Sequence, residues 1–303
     1  MARILVTGGA GFIGSNLANE LSKNHKVIVI DNLFLGDPKN LEKRVKFYKM
    51  DTRELKIINE GFVAPRLRDD GYILEVPVFR KFDYIFHFGN ASSAPMYEND
   101  LKFSWQMTVD GFIEILKFAE INKVKKLIYA STSSIYGPET YYTTAFKTME
   151  HLANLSPLET IGLRFFSVYG PNETHKGKYA NVVTQFLWCM SKGRRPVIYG
   201  DGSQTRDFIY VGDVVRACIL AMKKGRKGVY DIGTGKSYTF NEVVDLLNFK
   251  LGKKIKPKYV PNPINRYVYH TLCKDFSARD VFGFEPKVDL EEGIDKIISF
   301  YLG

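Results

Sequence analysis

Three glycines, Gly8, Gly11 and Gly14, stand three residues apart between an apolar run, RILV, and a stretch whose apolar residues have helical spacing. A glycine loop joining strand to helix suits a phosphate-bearing ligand. The chain must turn tightly, the backbone must come close to the ligand, and the helix must pack against the strand. The helix N-terminus then offers free N–H groups and the positive end of its dipole to a pyrophosphate. Phe12 and Ile13 lie in that first turn. Asp31 closes the next apolar run, KVIVI, where its carboxylate can accept from adenosine ribose hydroxyls; this favours NAD over NADP. Asn32 follows it. Asp51, after a third apolar run, has two readings, an adenine contact or a helix cap.

Elements able to position these residues can be read from the periodicity. Short strands are expected over 3–6, 26–30, 45–49, 84–88, 126–130 and 160–165. Helices are expected over 11–21, 103–119 and 142–155. Continuous apolar strands separated by helices imply an α/β fold, a Rossmann doubly wound parallel sheet covered on both faces. From about Pro171 turns become more frequent. Helices are expected over 211–223, 241–251 and 290–301, with Asn241 as an N-cap. The division is an NAD-binding domain over 1–170 and a smaller C-terminal α/β substrate-binding lobe over 171–303, with an interleaved boundary. The long connection 51–83 exceeds the usual loop length, and 72–79 (YILEVPVF) reads as an added edge strand.

Bulk properties limit the function classes. Of the 303 residues, 43 are Lys or Arg and 33 Asp or Glu, giving a net charge of +10. The lysines are scattered and form no compact basic tract with interleaved aromatics, so nucleic acid is not the expected partner; an anionic small molecule is. No apolar run reaches the roughly 20 residues of a membrane span. The start, MARILVTGG, lacks a signal-peptide pattern. Cys189, Cys218 and Cys273 are far apart and odd in number, which fits a reducing cytoplasm and argues against a metal site. His87 reads as a strand-end structural histidine.

The spacing G-x-x-G-x-x-G resembles that of the extended short-chain dehydrogenase/reductase family. HFGNAS at 87–92, ASTSSIYG at 130–137, LRFFSVYGP at 163–171 and GDGSQTRDFIYVGDV at 200–214 are similar to its further motifs, so the resemblance covers nearly the whole chain. It implies an NAD-dependent nucleotide-sugar enzyme, most similar to UDP-glucose 4-epimerases. GPNETHKGKYANV and the C-terminal half are also similar to the ADP-heptose 6-epimerase branch. The implied chemistry is oxidation of the sugar to a keto form on one tightly held NAD, followed by re-reduction from the other face. Dehydratases and decarboxylases of the family share the first half, although Ser133-Ser134 stand where a dehydratase places Asp-Glu. By the same resemblance Phe88 and Gly89 border the cofactor, and Thr132 holds the reacting hydroxyl. Arg206 meets the nucleotide's phosphates, or else pairs with Asp207 or Asp213. Arg266 is a second phosphate contact or a surface arginine, and Ser167 faces the diphosphate. A homodimer through helices 103–119 and 142–155 is also implied.

The family's catalytic pair, Y-x-x-x-K, is irregular here. A spacing of four puts tyrosine and lysine on one helix face. In TYYTTAFKTMEHL the fourth residue after Tyr142 is Phe146, with Glu150 in the family's glutamate position. Lys147 is five residues on, about 140° around the helix. The expected catalytic set is Tyr142, Thr132 and, given a local helix distortion, Lys147. A chain that kept the cofactor fold but lost the chemistry is the third reading, beside an epimerase and a dehydratase or decarboxylase.

Overall fold

The computed structural model describes residues 1–56, 66–67, 73–74, 81–264 and 266–303. Seven parallel strands form the central sheet: β1 (Arg3–Thr7), β2 (Lys26–Asp31), β3 (Lys46–Lys49), β4 (Tyr84–His87), β5 (Lys126–Thr132), β6 (Thr160–Phe165) and β7 (Gly228–Ile232). Their order is β3-β2-β1-β4-β5-β6-β7, so the direction of winding reverses between β1 and β4. Six strands agree with the periodicity. The seventh comes from the C-terminal half and was not anticipated; it pairs Leu163 with Tyr230 at the edge of the sheet. The sheet therefore crosses any simple division at residue 170.

Helices cover both faces because most of the strand residues are apolar on both. On one side pack α1 (Phe12–Ser22) and, from beyond residue 170, a helix over Val211–Lys224. Leu17 and Leu21 meet Val214, Ala217 and Ala221 in a single core. On the other side lie α2 (Gly111–Asn122) and α3 (Tyr141–Leu155), burying Phe112, Ile115, Phe118, Ala145, Phe146 and Met149. A third core, built on α4 (Val182–Ser191), α5 (Phe240–Leu251) and α6 (Leu290–Leu302), holds the C-terminal lobe together.

Two local expectations are revised. The helix expected over 103–119 is broken into an α-turn at Leu101–Trp105, a π-helical turn at Gln106–Asp110, and α2. The wider turn carries Thr108, whose hydroxyl meets the Ala91 N–H and the Tyr97 hydroxyl. The cap of α5 is Thr239, which exchanges hydrogen bonds with Glu242; Asn241 sits inside the first turn, bonded to Tyr259. Within the long connection Arg66–Leu67 pairs antiparallel with Ile73–Leu74. The remainder of the strand expected over 72–79 lies outside the described residues.

Within the sheet, Gly162 on β6 lies in register with Tyr129 on β5. A Cβ at Gly162 would stand 2.6 Å from the Tyr129 hydroxyl and 2.7 Å from Cζ, so the tyrosine ring fills the space a side chain would take. Gly162→Val is expected to destabilise the fold by about 1–3 kcal/mol through overpacking, read as a lower urea midpoint with an unchanged m-value.

Candidate active site

The reversal of winding opens a cleft of about 320 Å³ at the carboxyl ends of β1 and β4. Its floor is the glycine loop. Gly8 has φ +65, and a Cβ there would lie 2.5 Å from the Phe88 carbonyl and the Gly89 nitrogen. A Cβ on Gly14 would lie 2.2 Å from the Gly8 oxygen. Only glycine allows β1, β4 and α1 to meet this closely. Gly8, Gly11, Phe12, Ile13, Gly14, Asp31, Asn32, Phe88 and Gly89 all line the cleft.

The Asp31 carboxylate accepts from the N–H groups of Ala10 at 3.0 Å and Leu33 at 2.8 Å, and burial pushes its pKa up. Two hydrogen bonds leave a carboxylate further acceptor positions, as a ribose diol requires. Asp51 does not reach the cleft. It caps the short 3-10 turn Thr52–Glu54 and accepts from Arg53 and Asn32. Burial works against its charge, but these bonds outweigh it and hold the pKa below its ordinary value. Of the two readings of Asp51 the cap is the one formed here, and its neighbour Thr52 lines the cleft. His87 is fully buried, bonded through Nδ1 to Thr7 at 2.7 Å; burial pulls its pKa down to about 4, so it is a neutral structural group.

Thr132 ends β5 and Tyr142 stands in the first turn of α3, both lining the cleft. The helix starts there because Thr140 and Thr143 form a reciprocal cap. Burial pushes the Tyr142 phenol up to about 12, opposed only by its hydrogen bond with Thr132. One turn on, Phe146 occupies the lining position, its ring 4.9 Å from that of Tyr142. Lys147 is the expectation that fails. The helix is regular, so position 147 turns away from the cleft, and its ammonium pairs with Glu139 at 2.9 Å on the surface.

A polar network that sequence reasoning missed fixes α3 to the sheet. Glu150 accepts from Ser131 at 2.5 Å and from both ends of the Arg164 guanidinium, at 2.9 and 2.7 Å. Arg164 also reaches the Tyr136 hydroxyl at 2.8 Å, and Tyr136 donates to the buried Asp231. Glu150 was the legible member; Arg164, Tyr136 and Asp231 are scattered through the chain and carry no spacing signal.

The remaining expectations concern the second lobe. Arg206 has no carboxylate within ion-pair distance among the described residues, because Asp207 is bonded to Thr234, Gly235 and Cys273, and Asp213 to Arg216, Lys287 and Val288. Its Nη1 donates to the carbonyls of Thr205 and Tyr269, and the guanidinium lies over the rings of Phe240 and Tyr267. Ser167 does not line the cleft, whereas its neighbours Phe166 and Val168 do, as strand alternation dictates. Arg266 donates to the Glu139 carbonyl at 2.7 Å, joining the lobe to the loop before α3 instead of entering the cleft.

Removing Arg164 would leave Glu150, whose side chain is only 12% exposed, as an unpaired charge. Arg164→Met is expected to destabilise the protein by about 3 kcal/mol. The double variant with Glu150→Gln should recover part of that loss in denaturant unfolding.

Residues 4–233 match the family model described as the NAD dependent epimerase/dehydratase family. A protein of Methanocaldococcus jannaschii described as a putative UDP-glucose 4-epimerase is 31% identical over 320 aligned positions, covering 98% of this chain and 97% of that one. The UDP-glucose 4-epimerase of Thermotoga maritima, solved with UDP-glucose, superposes with a TM-score of 0.87 at 32% identity, covering 99% of this chain and 98% of its own. The Thermus thermophilus UDP-glucose 4-epimerase, solved with NAD, gives 0.85 at 28%, covering 99% of each chain. With a glycine cradle, an aspartate at the end of β2 and a tyrosine–threonine pair in one cleft, this chain belongs to the NAD dependent epimerase/dehydratase family.

Proposed function

We propose that the protein is an NAD-dependent nucleotide-sugar epimerase acting on UDP-glucose and UDP-galactose at C4. The observation that carries this reading is the meeting of Tyr142 and Thr132 in the cleft that begins at the glycine loop. NAD held there supplies an acceptor and donor of hydride. The protein's part is to hold the sugar and move a proton. The Tyr142 oxygen takes the proton of the reacting hydroxyl, and Thr132 orients that hydroxyl by a hydrogen bond. The glycine-loop N–H groups bind the pyrophosphate, and Asp31 binds the adenosine ribose. Arg206, a guanidinium without a carboxylate partner among the described residues, suits the diphosphate of the substrate.

Phe146 sets the electrostatics of this site. A lysine one turn after the tyrosine would favour the phenolate; a phenyl ring does not. The phenol, pushed up to about 12, is protonated near neutrality, so the basic form is scarce and grows with pH. Turnover is therefore expected to be slow at pH 7 and to rise roughly tenfold per pH unit while the phenolate is limiting. Phe146→Lys should move that rise toward neutral pH and increase turnover there. Tyr142→Phe should lower turnover about 10²–10⁴-fold with bound NAD unchanged. The assay is conversion of UDP-galactose, with UDP-glucose detected by a coupled dehydrogenase. No conversion by NAD-loaded protein at any pH would overturn the 4-epimerase reading.

A homodimer in the cytoplasm completes the proposal. The outer faces of α2 and α3 leave Ile121, Tyr141 and Leu155 exposed, an apolar surface suited to helix packing between two copies. Three free cysteines suit a reducing compartment. Among the described residues no helix is long and apolar enough to cross a membrane. Tyr141→Glu with Leu155→Glu should yield a monomer in sedimentation; a wild-type monomer at micromolar concentration would refute the dimer.

A further inference from the structure

The segment 171–181 crosses the mouth of the cleft as a strap. Its ties reach three separate parts of the NAD-binding layer. Asn16 on α1 donates to the Pro171 carbonyl at 3.1 Å. His175 is bonded to Asn40, beyond β2, at 3.1 Å. Asn99 donates to the Tyr179 hydroxyl at 3.1 Å. The far end is fixed to the C-terminal lobe, where the buried Glu173 accepts from Asn181 and Thr184, and its own N–H donates to Tyr301. Gly177, at φ +50, turns the chain just after Lys176.

Lys176 is the one lysine or arginine among the described residues lining the cleft. Its side chain is only 18% exposed, and its ammonium lies 5.4 Å from the centre of the Phe12 ring, over the first turn of α1. That turn is where the loop N–H groups await a pyrophosphate, whereas Asp31 marks the ribose end of the cleft. The ammonium's nearest carboxylate is Glu173, 3.8 Å away, beyond direct hydrogen-bond distance and already bonded through both oxygens. A largely buried cation so weakly matched is short of negative charge, and a dinucleotide pyrophosphate carries it.

We infer that Lys176, carried over the cleft by this strap, pairs with the pyrophosphate of bound NAD and closes the roof of the cofactor site. The inference rests on the reading of the cleft as the NAD site. Burial pulls the lysine's pKa down, opposed by Glu173, so an added pyrophosphate also restores the full charge of the ammonium.

Calorimetric titration of the NAD-stripped full chain with NAD, ADP and adenosine tests this, using the wild type, Lys176→Met and Lys176→Arg. Lys176→Met should weaken NAD and ADP about tenfold or more and leave adenosine, which lacks the phosphates, unchanged. Lys176→Arg should keep most of the affinity. The ADP affinity of the wild type should fall more steeply with salt than that of the methionine variant. Unchanged ADP binding in Lys176→Met overturns the inference, as does an equal loss for ADP and adenosine, which would make the lysine a structural part of the strap. A lysine that acts on the sugar instead would leave ADP affinity intact while turnover fell. A wild type that binds none of the three ligands overturns the NAD reading itself, and the inference with it.

Discussion

The backbone of Gly8 runs so close to the carbonyl of Phe88 and the nitrogen of Gly89 that no side chain fits between them. This contact joins the first strand of one winding direction to the first of the other. It brings α1 down onto the sheet and leaves its N-terminus open to the cleft. Asp31, Thr132 and Tyr142 come from three other elements, yet they face the same space because all their strands end on this side of a parallel sheet. A bulkier residue at position 8 would move β1 and β4 apart, and with them the glycine loop and the Phe88–Gly89 turn that line the cleft.

The position of α3 depends on a second constraint. Glu150 is clamped to the sheet by Arg164 and Ser131, and Arg164 is braced by Tyr136 and Asp231. Together with the Thr140–Thr143 cap this fixes the rotation of the helix, so Tyr142 and Phe146 face inward and Lys147 faces solvent. The consequence is electrostatic. A tyrosine in place beside its threonine, but without a cation one turn away, keeps its proton more firmly than the chemistry prefers. Among the described residues lining the cleft the one lysine is Lys176, and it stands over the Phe12 ring at the glycine loop.

Local signals were sufficient where one segment supplies both the residue and its geometry. The glycine loop and Asp31 were legible because a strand end followed by a turn points its residues along a known direction. Thr132 and Glu150 were legible only through the resemblance to family motifs. Asp51 was ambiguous because a carboxylate before a helical turn can serve either the turn or a ligand, and only the proximity of Arg53 and Asn32 resolves it. Ser167, Arg266 and Lys147 were placed by motif position, and none of the three lines the cleft. The reason is that one residue of strand alternation or 100° of helix rotation changes which surface a side chain reaches.

The sequence by itself determined the class of fold, the cofactor loop and the irregularity of the Tyr142 helix, since each is written in the order of neighbouring residues. Tertiary structure alone decided three further things: that strand 228–232 completes the sheet, that Lys147 is outside the cleft, and that Lys176 is inside it. Each depends on residues more than a dozen positions apart, or on the rotation of a whole helix. Sequence periodicity fixes which face of an element is buried, but the surface that face meets is set by the packing of distant segments.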